Sequence, residues 1–333
     1  MQTLSQSQLD AALAAADDDD ASPDERAEML MEIAMGMQQV PKSPQQLADA
    51  IALYERALEV APNTATLLRA RISARMGTAL HALPDGDVEH LERALQCFKT
   101  AIAAMQGPAK PEEVAEAELN QGLVLQSLST MGRARVADAI GAYQRALRTF
   151  TREAWPQEYS VLHNNLAIAY LSMPANDESG RMREALAVQS FEEVLKVINL
   201  IDHPSEYAMI NNNLGNALQY ASSSHVLENN LRALDAYDEA LRVRNPRDTP
   251  LEYANTIANK ANVLRNLSPA AQPIQPGARD TAVLSDPLHD ALALVREAHD
   301  LFSRFGDAHK AALMQDAAAE IEADQAQRRQ RSN

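Results

Sequence analysis

One block of sequence recurs along this chain of 333 residues and restricts its fold more than any other feature. In the block, an aromatic residue is followed by two polar residues and then by a small or branched apolar pair. The steps between successive centres are 44, 45, 48, 46 and 58 residues. Repetition at a nearly fixed period is typical of solenoids, in which each unit packs on its neighbours. The centres are Tyr54, Phe98, Tyr143, Phe191 and Tyr237, with a weaker copy at Val295.

A second block has the same period and predicts where helices begin. It consists of a proline followed two residues later by glutamate, at Pro111, Pro156, Pro204 and Pro250. Proline is favoured at the first helical position, because the N–H that proline lacks would have no partner within the helix there. The glutamate then lies at the positive end of the helix dipole. Between the two blocks, apolar residues recur at spacings of three and four. Each repeat is therefore predicted to be a helix A, a loop, a helix B and a turn.

The predicted fold is an all-α solenoid of about six helix pairs, preceded by an N-terminal helix and closed by a capping helix. The expected domains are an N-terminal helix and acidic loop at 1–21, a solenoid at 22–327 and a basic disordered tail at 328–333. The expected pairs are 24–61, 64–106, 111–150, 156–199, 204–244 and 250–305, with the cap at 308–327.

Two segments depart from the repeat. The run of four aspartates at 17–20 indicates a solvated loop. Residues 268–287 contain four prolines, which excludes a continuous helix there. The sequence leaves open whether this second segment is a mobile linker or a flap over a groove.

Composition excludes several classes of function. A net charge of −16 repels a phosphate backbone, so no nucleic-acid partner is expected. No apolar stretch approaches the roughly 20 residues of a membrane span, and the N-terminus does not resemble a signal peptide. The lone Cys97 allows no intrachain disulfide. These features predict a cytoplasmic protein with no membrane partner.

The repeats resemble the tetratricopeptide repeat. This resemblance rests on a small residue in the middle of helix A and on the pattern A-x-x-x-Y/F-x-x-A-L in helix B. The phrase NNLGNAL at 212–218 is similar to bacterial arrays of this family. The usual repeat has about 34 residues; longer repeats like these resemble those of kinesin light chain and of bacterial arrays fused to signalling or protease domains. The small residues are Gly77, Gly122, Ala167, Gly215 and Ala261.

The resemblance implies a right-handed superhelix whose A helices line a concave groove, with the residue two positions before the small one facing that groove. Four of these five residues are asparagine. An asparagine amide offers both donors and an acceptor, so such a ladder suits the backbone of an extended peptide. The alternative is that the amides bond between adjacent A helices and only fix their stacking. The five positions are Arg75, Asn120, Asn165, Asn213 and Asn259, and Asn216 and Asn262 would extend the ladder.

Arg71 and Arg75 form a second candidate feature. They are four residues apart and so lie on one helix face. They resemble the basic half of the carboxylate clamp of some tetratricopeptide-repeat proteins, because two guanidinium groups hold a carboxylate well. The alternative is an exposed arginine pair that bridges to glutamate or aspartate.

No catalytic pattern is present. The sequence has no phosphate-binding loop, nucleophile elbow or zinc-protease motif, and its eight histidines are scattered. We therefore expect no enzyme activity, no cofactor and no metal. The predicted function is a bacterial adaptor, assembly factor or chaperone-like scaffold that binds an extended peptide or partner protein. The alternative is a scaffold that self-associates into a homo-oligomer through its B helices or its ends.

Overall fold

A computed structural model describes residues 13, 21–39, 41, 43–84, 86–173, 178–221, 225–267 and 286–332. Apart from Leu13, the predicted N-terminal helix lies outside this part of the chain, as do the aspartates at 17–20 and residues 268–285. The described residues form thirteen α-helices joined by turns and loops. These are α1 (Pro23–Gln39), α2 (Pro44–Val60), α3 (Thr66–His81), α4 (Val88–Met105), α5 (Pro111–Thr130), α6 (Val136–Ala146), α7 (Pro156–Leu171), α8 (Glu178–Leu195), α9 (Pro204–Tyr220), α10 (Val226–Leu241), α11 (Pro250–Leu267), α12 (Pro287–Arg304) and α13 (Ala308–Ser332).

The chain divides into two compact units, 1–172 and 173–333. In unit 1, α1 packs on α2, α3 on α4 and α5 on α6, and α7 follows against α6. In unit 2, α8 packs on α9, α9 on α10 and α11 on α12, and α13 covers α12. Odd-numbered helices up to α11 are the A helices, and even-numbered helices are the B helices. The prediction of an all-α solenoid built from consecutive helix pairs is confirmed.

The helix starts follow the local signals in the sequence. The four predicted proline starts are the first residues of α5, α7, α9 and α11. Before α1, the Ser22 hydroxyl accepts from the Glu25 N–H, and the Glu25 carboxylate accepts from the Ser22 N–H at 2.8 Å. This reciprocal pair satisfies two backbone donors at a helix end that would otherwise have no partner. Three B helices begin after a side-chain cap, supplied by Ser43, Asp87 and Asp286, and two of them, α2 and α12, also have proline as their first residue.

In three pairs the aromatic residue of helix B packs on a glycine of helix A, as Phe98 does on Gly77, Tyr143 on Gly122 and Tyr237 on Gly215. A Cβ atom at Gly122 would lie 2.4 Å from Tyr143 Cε1, and one at Gly215 would lie 2.6 Å from Tyr237 Cε1. No real Cβ comes so close, so these two positions require glycine. Tyr143 and Tyr237 are both completely buried. The period seen in the sequence is therefore the period of this contact.

The C-terminal helix is longer than predicted. Helix α13 continues to Ser332, whereas the sequence predicts a disordered tail from residue 328. Alanine, glutamine and arginine all favour helix, and no glycine or proline interrupts the segment. Arginine near a helix C-terminus also complements the negative end of the dipole. None of the described helices is long and apolar enough to cross a bilayer.

Candidate functional site

The surface that we call the A-helix face consists of the positions two and six residues before the small residue of each A helix. In the third pair, Tyr143 donates to Gln126, which is four residues after the small residue Gly122. In the first pair, Tyr54 donates to Gln38, so the small residue of α1 is the one four residues earlier, Ala34. Two residues separated by four positions share one side of a helix. Part of this face lies in unit 1 and part in unit 2.

In unit 1, the two arginines of α3 bind glutamates of the next A helix, α5. Arg71 donates from Nε and Nη2 to the two carboxylate oxygens of Glu113, at 2.8 and 3.0 Å. Arg75 donates from Nη1 to Glu116 at 3.0 Å. The hydrogen bonds that Arg71 donates to Glu113 are the main cause that raises the pKa of Arg71, and they hold the pKa of Glu113 below its usual range. In this structure the guanidinium groups therefore bridge neighbouring repeats.

A narrow cleft separates α3 from α5 beside these ion pairs. It is small, with a volume of about 40 Å³. Its floor is apolar and includes Phe98 and Met105 of the intervening helix α4, while its rim carries the two arginine–glutamate pairs. Three of the predicted site residues, Arg71, Arg75 and Asn120, line this cleft together.

The two asparagines of the unit 1 face differ in what they contact. Asn120 donates its amide to the backbone carbonyl of Glu116 in its own helix, at 3.0 Å. Asn165, on α7, is half-buried and has no side-chain hydrogen bond to any residue that the structure describes. Four residues before it, Val161 is 47% exposed. Helix α7 thus presents an apolar side chain and an amide with unused donors and acceptor on one surface.

Helix α9 of unit 2 repeats this arrangement. Asn213 is half-buried and, within the described chain, its amide has no hydrogen-bond partner. Four residues earlier, Met209 is 41% exposed. An exposed apolar residue beside an uncommitted asparagine therefore occurs once in each unit, at the same position of the repeat.

Three other predicted ladder residues of unit 2 bond within the protein. Asn259 on α11 donates to Asn212 Oδ1 on α9 at 3.4 Å. Asn262 donates to the Tyr220 hydroxyl at 3.3 Å. Asn216 accepts the hydroxyl of the buried Tyr237 at 2.7 Å. These bonds connect α11 to α9 and α10 to α9, as expected for amides that fix helix stacking.

Sequence reasoning missed a glutamine that accompanies each tyrosine of the B helices. The hydroxyls of Tyr54 and Tyr143 donate to glutamine side chains at 2.7 and 2.8 Å. The Tyr237 hydroxyl lies 3.1 Å from a glutamine oxygen and shares its proton between this oxygen and the nearer one of Asn216. Each glutamine stands four residues after the small residue of helix A. In the repeats whose aromatic residue is Phe98 or Phe191, this position holds histidine or leucine. Aligning the copies shows this correlation, so the signal was present in the sequence. The glutamines are Gln38, Gln126 and Gln219.

Groups capable of metal or thiol chemistry are not assembled on this face. No group of three or more His, Cys, Asp or Glu side chains in the described ranges is placed to hold a metal ion. Cys97 is a buried free thiol in α4, and burial raises its pKa. Burial lowers the pKa of His81, whose Nε2 lies 3.2 Å from Ser127 Oγ.

Comparison with known proteins supports the fold. No protein-family model and no curated protein matches the sequence. Among solved structures, BtubC (BKLC) from P. vanneervenii is 17% identical with a TM-score of 0.50, over 74% of this chain and 96% of that one. A STAND protein with a tetratricopeptide repeat sensor from Pyrococcus horikoshii is 12% identical with a TM-score of 0.46, over 92% of this chain and 46% of that one. Rap protein complexed with competence and sporulation factor is 12% identical with a TM-score of 0.35, over 98% of this chain and 89% of that one. At 17% identity, the likeness to BtubC shows a shared fold and nothing further.

Proposed function

We propose that the A-helix face binds an extended segment of another protein, and that the chain serves as an adaptor, assembly factor or chaperone-like scaffold. The observation that carries this proposal is the uncommitted amide at the same repeat position in both units. In the part of the chain that the structure describes, neither Asn165 nor Asn213 has a hydrogen-bond partner. Asparagine in mid-helix costs roughly 0.5 kcal/mol relative to alanine. In each unit, a backbone N–H and C=O from a bound segment would pair with the amide of that unit's asparagine.

The exposed apolar neighbours of these asparagines support the same function. Val161 and Met209 each lie one helical turn before the amide, so a segment hydrogen-bonded to the asparagine would also cover an apolar side chain. Interfaces typically combine apolar contact with a few oriented hydrogen bonds. We further propose that the chain is an extended, bacterial form of the tetratricopeptide repeat. The buried, unpaired thiol of Cys97 fits a reducing compartment such as the cytoplasm.

The test is to replace one uncommitted asparagine in each unit. The double variant Asn165→Ala with Asn213→Ala should lose capture of the partner in a pull-down while keeping its helical circular dichroism and melting temperature. The matched control is Gln96→Ala with Gln189→Ala, which removes one amide from a B helix of each unit. If the asparagine variant recovers the same partner as the wild type, the A-helix face is not the binding surface.

A second candidate function is self-association, and one observation favours it. Helix α10 exposes three apolar side chains near its start, with Val226 58%, Leu227 53% and Leu231 46% exposed. Exposed apolar clusters of this kind mark protein contact sites. A molar mass measured by light scattering at micromolar concentration separates the two candidates, because a monomer is incompatible with self-assembly.

A further inference from the structure

The A-helix face of unit 1 changes its chemistry from helix to helix. The helices α1, α3, α5 and α7 follow one another along the unit. Each helix contributes two residues, which stand six and two positions before its small residue. Helix α1 carries two carboxylates (Glu28 and Glu32), and α3 carries two guanidinium groups (Arg71 and Arg75). Helix α5 carries a carboxylate and an amide (Glu116 and Asn120), and α7 carries an apolar side chain and an amide (Val161 and Asn165).

The positive charges of this face are already engaged. Arg71 holds Glu113 through two parallel hydrogen bonds, the geometry in which a guanidinium binds a carboxylate most strongly. Arg75 holds Glu116. A carboxylate from a partner would have to displace a carboxylate that is tethered beside the arginine. The chain's own glutamates therefore compete with any acidic segment.

The negative charges of α1 have no such partner. Neither Glu28 nor Glu32 forms a salt bridge with any residue in the described ranges. Helix α1 contacts α3, the helix that carries Arg71 and Arg75. The charge of Glu28 also raises the pKa of Arg71, after the larger effect of the hydrogen bonds that Arg71 donates to Glu113. On this face the four carboxylates Glu28, Glu32, Glu113 and Glu116 outnumber the guanidinium groups of Arg71 and Arg75 by two.

The cleft between α3 and α5 places two carboxylates, Glu113 and Glu116, at its rim. Its floor is closed, because Phe98 and Met105 are only 1% and 3% exposed, so a partner segment meets the charged rim. The net charge of −16 would also attract a cationic segment over a longer range.

We propose that the unit 1 A-helix face selects a partner segment bearing lysine or arginine side chains, and that Glu113 and Glu116 set this preference by occupying Arg71 and Arg75. The proposal rests on the proposed function, since it names the chemistry of the segment that this face binds. In this proposal, Arg71 and Arg75 bridge neighbouring repeats and do not bind the carboxylates of a partner.

The experiment uses the full chain and two fluorescent, end-capped peptides of equal length, one alternating lysine with alanine and one alternating glutamate with alanine. In fluorescence anisotropy at low salt, the wild type should bind the lysine peptide and not the glutamate peptide. Added salt should weaken the binding. The variant Glu28→Gln with Glu32→Gln should bind the lysine peptide about fivefold more weakly, the effect of two exposed charge contacts.

A matched control separates this face from the general acidity of the protein. Glu89→Gln with Asp316→Asn removes the same charge from α4 and α13 and should leave affinity for the lysine peptide unchanged. Equal weakening in both double variants would overturn the proposal, because binding would then follow net charge alone.

Two further variants should shift the preference in opposite directions. Arg71→Gln with Arg75→Gln releases Glu113 and Glu116, so the lysine peptide should bind more tightly, a gain that misfolding cannot produce. Glu113→Gln with Glu116→Gln releases the arginines and should admit the glutamate peptide. If neither variant changes the preference, the glutamates do not set it. If the wild type does not bind the lysine peptide while partner capture still depends on Asn165 and Asn213, the proposed charge preference is wrong and the proposed function is retained.

Discussion

At the scale of single residues, the close packing of α5 on α6 and of α9 on α10 depends on a glycine, which has no side chain. The ring of Tyr143 fills the space where a Cβ of residue 122 would stand. The ring is completely buried, so it has no room to move away. The sequence analysis identified the small residue and the aromatic separately, and the structure shows that they are one contact.

Gly122→Ala should therefore destabilise the protein. We expect a loss of about 1–2 kcal/mol in the free energy of unfolding, since overpacking outweighs the roughly 1 kcal/mol that alanine gains over glycine in a helix. The control is Gly141→Ala, whose Cβ would meet only the tip of Arg145 at 3.7 Å and which should stabilise the protein by up to about 1 kcal/mol. Urea titration measures both, and equal stability of the two variants would contradict the steric explanation.

At the scale of helices, α5 and α6 are joined by a buried ion pair as well as by the aromatic contact. Arg145 donates from Nε to Glu118 at 2.9 Å and from Nη2 to Gln121 Oε1 at 3.0 Å. The side chain of Glu118 is only 9% exposed, whereas that of Arg145 is 42% exposed. The glutamate therefore depends on the arginine to compensate its burial.

Removing only the arginine should cost more than removing both charges. Arg145→Leu leaves a buried carboxylate without its cation, and we expect a loss of about 2 kcal/mol, below the range for fully buried pairs because Arg145 is partly exposed. Adding Glu118→Gln to the same chain should recover most of this loss. Thermal and urea unfolding of the two variants measure the difference, and a double variant less stable than the single one would show that an uncompensated Glu118 is not the cause of the loss.

At the scale of the whole molecule, three buried tyrosines link stability to pH. Burial raises the pKa of Tyr54, Tyr143 and Tyr237 above their usual value of 10.0. The unfolded chain loses these phenolic protons near pH 10, whereas the folded chain keeps them. Their contribution to stability is therefore complete below pH 10 and decreases as the pH rises above it, by about 1.4 kcal/mol per pH unit for each tyrosine.

Unfolding free energies measured between pH 8.5 and 11 should show this decline. Tyr143→Phe should reduce the slope of the unfolding free energy against pH, above pH 10, by the contribution of one tyrosine. The variant also loses a hydrogen bond to Gln126, worth about 1 kcal/mol at every pH. Ultraviolet absorbance of phenolate provides an independent reading, because the three buried phenols should ionise only as the protein unfolds. If the unfolding free energy has the same slope against pH in Tyr143→Phe and in the wild type, Tyr143 has the same pKa in the folded and the unfolded chain.

The sequence by itself determined the helical repeat. Proline at a helix start, glutamate in the first turn and apolar residues at spacings of three and four are local signals, so α5, α7, α9 and α11 begin where the sequence predicts. The same local rules did not locate the end of α13, because helix ends depend on small differences in propensity among residues with no strong stop signal.

Only the tertiary structure decided how the polar residues of the A helices are used. Arg71 and Glu113 are 42 residues apart, and Asn259 and Asn212 are 47 apart, so their contacts depend on how successive pairs stack. Identical asparagines consequently differ, since Asn259 bonds to a neighbouring helix while Asn165 and Asn213 keep their amides uncommitted among the described residues. The repeat determines where a side chain lies on its own helix. Which residue it bonds to depends on the rotation and offset of the neighbouring helix.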